Sequence, residues 1–90
     1  MTRIVIADDH PLFRRALAQA VREIVPSVVL AEAATLDAAR GDLAAHPDTD
    51  LLLLDLHMPG SHGLAGLASI RCRHPAVAVA MISANDDPMV

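Results

Sequence analysis

The sequence predicts an α/β fold with a doubly wound parallel sheet, and three observations support this prediction. Short apolar runs of the length of buried strands alternate with longer stretches whose apolar residues recur at helical spacing. The first and third of these runs lead directly into aspartates. Of the 90 residues, 53% are hydrophobic but only 1% are aromatic. A core of small aliphatic side chains, with Phe13 as its only ring, suits strands covered by alanine-rich helices.

Seven elements are expected in the order βαβαβαβ. The predicted strands span residues 3–7, 28–33, 50–55 and 77–82, and the predicted helices span 11–25, 36–46 and 64–74. Pro11 stands at a helix position that tolerates a missing N–H, and Thr35 can cap the second helix. Parallel strands joined by right-handed crossover helices form one sheet with helices on both faces. Ligands bind such sheets outside the carboxyl ends of the strands.

Charge, cysteine content and hydropathy exclude several classes of protein. The formal net charge is −4, and the seven basic residues are spread thinly, which argues against direct nucleic-acid binding by this chain. The single cysteine, Cys72, cannot form an internal disulfide, and there is no charged start followed by an apolar signal core. No apolar run approaches the ~20 residues that span a bilayer. We expect a cytoplasmic protein without a membrane segment.

Acidic residues are expected to gather at the carboxyl edge of the sheet. Asp8 and Asp9 follow the first predicted strand, Asp55 ends the third, and Ser83 follows the fourth. Carboxylates about 4 Å apart repel each other by roughly 4 kcal/mol at an effective dielectric of 20, so such a cluster must take up protons or bind a cation. Oxygen ligands favour Mg²⁺. A cation there could orient a phosphoryl group toward a nucleophilic carboxylate.

Three stretches carry a family resemblance: VIADDHPLFR at 5–14, LLDLHMPGSHG at 53–63 and MISA at 81–84. In this order they resemble the response-regulator receiver domains of bacterial two-component systems, especially the LuxR-type subgroup. The resemblance implies a flavodoxin-like, receiver-like sheet. It also implies that Asp55 accepts a phosphoryl group, that Asp9 binds Mg²⁺ directly and that Asp8 supports the metal through water. The backbone carbonyl of His57 would complete the protein ligands.

The resemblance further implies a switch and a signalling role. Ser83 resembles the family's hydroxyl residue that hydrogen-bonds the phosphoryl oxygen on activation, and the small Ala84 leaves room for that group. The donor would be a sensor histidine kinase or a small phosphodonor, so the chain is expected to be a signalling phosphoacceptor rather than an enzyme. In the family, DNA binding belongs to a separate output domain.

The family pattern also predicts elements that this sequence does not contain. A receiver domain continues with a helix, a strand and a helix after the fourth strand, and it carries a catalytic lysine, whereas this chain ends at Val90 and has no lysine. Residues 1–90 are therefore expected to form an incomplete receiver domain with four strands and three helices. The fourth strand, 77–82, should present an exposed edge. We expect a homodimer or a swapped oligomer through that edge.

The same residues are compatible with other functions to different degrees. The chief one is a truncated or degenerate receiver that acts as a phosphorylation-independent dimerisation or interaction module. A phosphatase of the haloacid-dehalogenase type needs a second aspartate two positions after the nucleophile, where this chain has His57. Asp8 and Asp9, taken alone, could equally cap the first helix. His57, His62 and Cys72 lack the spacing of an ordinary zinc motif, so a zinc site is rejected. A nucleotide-binding fragment is disfavoured because no glycine-rich phosphate cradle follows the first strand.

Overall fold

The fold is a parallel β-sheet with helices in the connections between strands. A computed structural model describes residues 1–55, Met58 and residues 64–82. The elements are β1 (Arg3–Ala7), α1 (Pro11–Ile24), β2 (Val29–Ala33), α2 (Leu36–Ala45), β3 (Leu51–Asp55), α3 (Leu64–Arg73) and β4 (Ala78–Ile82). The predicted alternation of strands and helices is thus confirmed.

The strands β2 and β4 begin one residue later than predicted, because the backbone N–H of the residue before each strand is hydrogen-bonded within a turn. The Val28 N–H donates to the Val25 carbonyl at 3.0 Å, and the Val77 N–H donates to the His74 carbonyl at 3.1 Å. These bonds belong to the turns that precede β2 and β4, so both strands begin one residue later than expected. Thr35 caps α2 as predicted, since its side chain accepts a hydrogen bond from the Ala38 N–H at 3.1 Å.

The four strands form one sheet in the order β2-β1-β3-β4, and every pairing is parallel. Ala7 of β1 is in register with Ala33 of β2 and Leu54 of β3. Asp55, the last residue of β3, is in register with Ile82 of β4. The carboxyl ends of all four strands therefore lie along one edge of the sheet, and the predicted doubly wound parallel architecture is confirmed.

Alternate residues of the central strands contribute to two separate apolar clusters. The two faces of β1 pack against different helices: Ile4 and Ile6 pack with Ala18 of α1, whereas Val5 and Ala7 pack with residues of α2 and α3. The larger cluster comprises Val5, Ala7, Ala33, Leu36, Ala39, Leu43, Leu52, Leu54, Met58, Ile70 and Val77. The helices thus cover both faces of the sheet, which holds the strand ends in fixed positions.

The expected role of Phe13 as a core ring is wrong. Phe13 is 36% exposed and Leu12 is 84% exposed, while Ala18 is buried and Leu17 and Val21 are partly buried. The face of α1 that meets Ile4 and Ile6 is therefore lined by smaller side chains. Apolar residues occur around much of α1, so helical spacing alone did not identify the buried face.

Arg3 makes several polar contacts at the edge of the sheet where the strands begin, opposite their carboxyl ends. Its guanidinium Nη1 lies 2.7 Å from Asp42 Oδ1 and donates to Thr49 Oγ1 at 2.8 Å, and its backbone N–H donates to Asp50 Oδ2 at 2.9 Å. These bonds connect β1 to α2 and to the turn before β3. None of the helices in the described part of the chain combines the length and the apolar character needed to cross a bilayer.

Candidate functional site

Three carboxylates meet at the carboxyl edge of the sheet, where β1 and β3 lie side by side. The pairing of Ala7 with Leu54 brings Asp8, which follows β1, next to Asp55, which ends β3. Asp8 and Asp55 are fully buried, whereas the side chain of Asp9 is 31% exposed. One ligand atom from each of Asp8, Asp9, His10 and Asp55 lies within 4.8 Å of the others.

Asp8 is held firmly by its own backbone and by the start of α1. Its backbone N–H donates to the Ala33 carbonyl at 3.0 Å, and its Oδ1 accepts the backbone N–H of His10 at 2.7 Å. His10 is the N-cap residue of α1, so Asp8 bonds to the cap residue rather than to the N–H groups of the first helical turn. Among the described residues, the buried Oδ2 of Asp8 has no hydrogen-bond partner. That oxygen is left for a cation or a solvent molecule.

His10 contributes a ring nitrogen close to all three carboxylates. Its Nδ1 is 3.1 Å from Asp8 Oδ1, 3.1 Å from Asp9 Oδ1 and 3.9 Å from Asp55 Oδ2. The hydrogen bond to Asp8 and the negative charge of Asp9 raise the pKa of His10 above its ordinary value of 6.5. The side chain remains 57% exposed, so solvent reaches the ring. His10 thus supplies a nitrogen atom to a site that is otherwise built of oxygen.

Arg14 supports the site from the first turns of α1. Its Nη1 donates to the backbone carbonyl of Asp8 at 2.8 Å, and its Nε donates to Glu32 Oε1 at 2.9 Å. These two bonds join the end of β1 to β2 through one side chain. The side chain of Arg14 is only 17% exposed.

The sequence-predicted site residues divide into two groups. The structure brings Asp8, Asp9 and Asp55 together, while His57, Ser83 and Ala84 lie outside the described residues. His10 and Arg14 were not predicted as part of the site. The signal for His10 was its place two residues after Asp8, where an aspartate side chain can accept a backbone N–H. The contact between Arg14 and Glu32 has no local signal, because 18 positions separate the two residues.

Met58 contacts both the end of β3 and the apolar core. The Met58 N–H reaches the Asp55 carbonyl at 3.4 Å, and Met58 itself is 2% exposed, packed in the larger apolar cluster. Met58 therefore lies on the same side of the sheet as Val5 and Ile70.

Comparison with known proteins assigns the family. Residues 4–90 match the response regulator receiver domain family. The chain is 46% identical over 90 residues to the glycerol metabolism activator of Pseudomonas putida, covering 100% of this chain and 41% of that protein. It is 38% identical over 88 residues to the probable transcriptional regulatory protein NarL of Mycobacterium tuberculosis, covering 98% of this chain and 40% of that protein. The chain therefore spans about two fifths of the length of these relatives.

Solved structures agree with this assignment. The signal receiver domain of the putative response regulator NarL from Mycobacterium tuberculosis superposes with a TM-score of 0.79 at 39% identity, covering 98% of this chain and 70% of that one. The isolated REC domain of RcsB from Salmonella enterica serovar Typhimurium, solved in the presence of phosphomimetic BeF3-, gives a TM-score of 0.81 at 26% identity over 98% of this chain and 65% of that one.

The chain belongs to the response regulator receiver domain family. Its relatives include the probable transcriptional regulatory protein NarL of Mycobacterium tuberculosis and the nitrate/nitrite response regulator protein NarP of Escherichia coli, so it belongs with the signalling proteins of two-component systems. The flavodoxin-like fold predicted from the three motifs is confirmed.

Proposed function

We propose that Asp55 is the residue that accepts a phosphoryl group, and that Asp8, Asp9 and Asp55 bind Mg²⁺ together with the backbone carbonyl of His57. One observation carries the proposal: three carboxylates from adjacent strand ends converge, and one of them keeps a buried oxygen without a hydrogen-bond partner among the described residues. Such an oxygen-rich set fits a hard divalent cation. Asp9 is the most exposed of the three carboxylates. Asp9 would bind the metal directly, and Asp8 would act on it through a water molecule.

The proposed chemistry assigns a separate task to each side chain. An oxygen of Asp55 would form the new bond to phosphorus as the P–N bond of a donor phosphohistidine breaks, and the donor imidazole would leave with the electron pair and take up a proton. Arg14 and the backbone bonds of Asp8 keep the carboxylates in place during the transfer. When bound, the metal ion would neutralise the phosphoryl oxygens and orient the phosphorus toward Asp55.

We propose that Ser83 and Ala84 form the switch that responds to the new charge. Ile82, the residue before Ser83, is in register with Asp55 across the β3–β4 pairing. This register supports a hydroxyl at position 83 that is near the acceptor aspartate. A phosphoryl group adds a charge of about −1.5 to −2 with strong acceptor oxygens, and a serine hydroxyl can donate to one of them. The RcsB receiver domain solved in the presence of phosphomimetic BeF3- shares this fold and lends support by likeness.

The proposed partners follow from family membership. Receiver domains act with sensor histidine kinases, so we propose such a kinase as the phosphodonor, in the cytoplasm. The relatives NarL and NarP are transcriptional or nitrate/nitrite response regulators. We therefore propose transcriptional regulation as the output, with DNA contacts made by a separate domain, since this chain carries a net charge of −4.

Association through β4 is a further part of the proposal. Among the described strands, β4 pairs with β3 alone, and Met81 on β4 is 36% exposed. An unpaired strand edge with apolar side chains favours pairing with another strand. We propose that a second copy of this 90-residue chain occupies that edge. A monodisperse monomer in size-exclusion chromatography with light scattering would argue against this association.

The test of phosphorylation is the intact mass of the chain after incubation with Mg²⁺ and acetyl phosphate. We expect one phosphoryl increment that is lost in Asp55→Asn and kept in Asp48→Asn, a change in an exposed turn. No increment in a folded sample that binds Mg²⁺ would favour the alternative of an interaction module without phosphoryl chemistry.

A further inference from the structure

We propose that His10 is a ligand for transition-metal ions, so that the acidic site binds ions such as Co²⁺, Ni²⁺ or Zn²⁺ through one nitrogen and several oxygens. The inference rests on the proposed metal site and concerns its selectivity. Imidazole nitrogen suits these ions, whereas Mg²⁺ prefers oxygen alone. His10 would thus add affinity for transition metals without adding affinity for Mg²⁺.

The geometry of the ring supports this role. Nδ1 of His10 already lies 3.1 Å from an oxygen of Asp8 and 3.1 Å from an oxygen of Asp9, with Asp55 Oδ2 at 3.9 Å. A metal ion with bonds of about 2.0–2.2 Å holds its ligand atoms roughly 3–4 Å apart, from the geometry of such bonds. The three distances from Nδ1 to carboxylate oxygens therefore match the spacing of ligand atoms in a coordination sphere, and all four ligand atoms lie within 4.8 Å of one another.

A second observation points to a ligand at the same place. Asp8 is fully buried, and its Oδ2 has no hydrogen-bond partner among the described residues, while its Oδ1 accepts the backbone N–H of His10. That hydrogen bond holds the backbone of His10 beside the carboxylate of Asp8, so that both side chains can bind the same metal ion. Because 57% of the His10 side chain is exposed, a metal ion can reach Nδ1 from solvent without unfolding of the core.

The surrounding chain offers a matched control. His46 follows α2 and is exposed, so replacing it changes the histidine count without touching the acidic site. Glutamine at position 10 keeps a polar side chain of similar reach but removes the imidazole nitrogen. The variants for comparison are therefore His10→Gln, His46→Gln and Asp9→Asn, with His10→Asn as a second replacement should the first change the circular dichroism spectrum.

The experiment measures Co²⁺ binding by visible absorption and Mg²⁺ binding by calorimetry on the full 90-residue chain. We expect His10→Gln to weaken Co²⁺ binding by at least about tenfold, as loss of a metal-site group commonly does, and to leave Mg²⁺ binding within about twofold. His46→Gln should change neither. Asp9→Asn should weaken both.

Three outcomes would overturn the inference in distinguishable ways. If Mg²⁺ binding depends on Asp9 but Co²⁺ binding is the same in the wild type and His10→Gln, the proposed Mg²⁺ site stands and His10 is not a ligand. If neither ion's binding depends on Asp9, the metal site itself is wrong and the role of His10 falls with it. A parallel loss of both ions in His10→Gln would also refute selectivity, because it would assign His10 a general supporting role.

Discussion

Arg14 donates a hydrogen bond from Nη1 to the backbone carbonyl of Asp8 at 2.8 Å. The same guanidinium forms an ion pair with Glu32 at 2.9 Å, so one side chain of α1 connects the ends of β1 and β2 at the acidic site. The bond to the Asp8 carbonyl restrains the backbone from which a buried carboxylate projects. Arg14 is accordingly a positioning residue for the site.

Replacing Arg14 by methionine should destabilise the chain by about 1–2 kcal/mol, because the carbonyl of Asp8 loses a charged donor and the partly exposed ion pair with Glu32 adds little. The free energy of unfolding in urea measures this effect. Arg15→Met is the matched control, since Arg15 is exposed on the same helix. Equal stabilities of the two variants would show that the Arg14 bonds do not support the fold.

The polar contacts of Arg3 at the opposite edge predict a larger effect. Arg3 is 9% exposed, and its guanidinium contacts both Asp42 and Thr49. Arg3→Met would leave these partners without their donor, and we expect a loss of about 2–3 kcal/mol. Urea unfolding of Arg3→Met beside Arg22→Met, an exposed change on α1, checks this. A loss below about 0.5 kcal/mol, the usual range of surface changes, would contradict it.

Two leucines test which side chains form the core. Leu54 is fully buried in the larger apolar cluster, whereas Leu12 is 84% exposed. Leu54→Ala should cost about 3 kcal/mol because it leaves a cavity between the sheet and its helices. Leu12→Ala should stay within about 0.5 kcal/mol of the wild type. Similar losses in the two variants would mean that α1 buries a different face.

The pKa of His10 should lie above 6.5 in the metal-free protein, because the hydrogen bond to Asp8 and the charge of Asp9 favour the protonated ring. A raised pKa in the folded state means that protonated His10 stabilises the fold fully below the pKa of the unfolded chain. That contribution is lost as the pH rises through the higher pKa of the folded state. An NMR titration of the ring in the presence of a chelator measures the value.

Asp9→Asn provides the control for that titration. Removing the charge of Asp9 should lower the pKa of His10, whereas Asp48→Asn, in an exposed turn, should leave it unchanged. A value at or below 6.5 in the wild type would mean that the ring does not contact the carboxylates in solution.

Much of the fold was predictable because each strand and helix has a local signal. Pro11, Thr35 and the spacing of apolar residues indicated where the helices and strands lie. Because parallel strands end at the same edge of a sheet, Asp8 and Asp55 were predicted to lie close together. The spacing of apolar residues did not predict which face of α1 is buried, since Phe13 and Leu12 are as apolar as the residues that face the sheet. The places of His10 and Arg14 depend on side-chain directions and on contacts with other elements, which no local pattern encodes. The roles of Ser83 and Ala84 stay predictions.

Asp55→Asn should stabilise the metal-free chain while removing its response to Mg²⁺. Three carboxylates crowd together in the folded state, and their mutual repulsion is relieved when one becomes neutral, so we expect a gain of about 1 kcal/mol in chelator. In the wild type, Mg²⁺ at ten times its Kd should add about 1.4 kcal/mol of stability, because the ion binds the folded state alone. Asp55→Asn should lose most of that increment, whereas Asp48→Asn should keep it. Urea unfolding with and without Mg²⁺ measures the stability of each variant in chelator and the increment that Mg²⁺ adds. An Asp55→Asn chain that is less stable than the wild type in chelator, yet equally stabilised by Mg²⁺, would place the cation elsewhere.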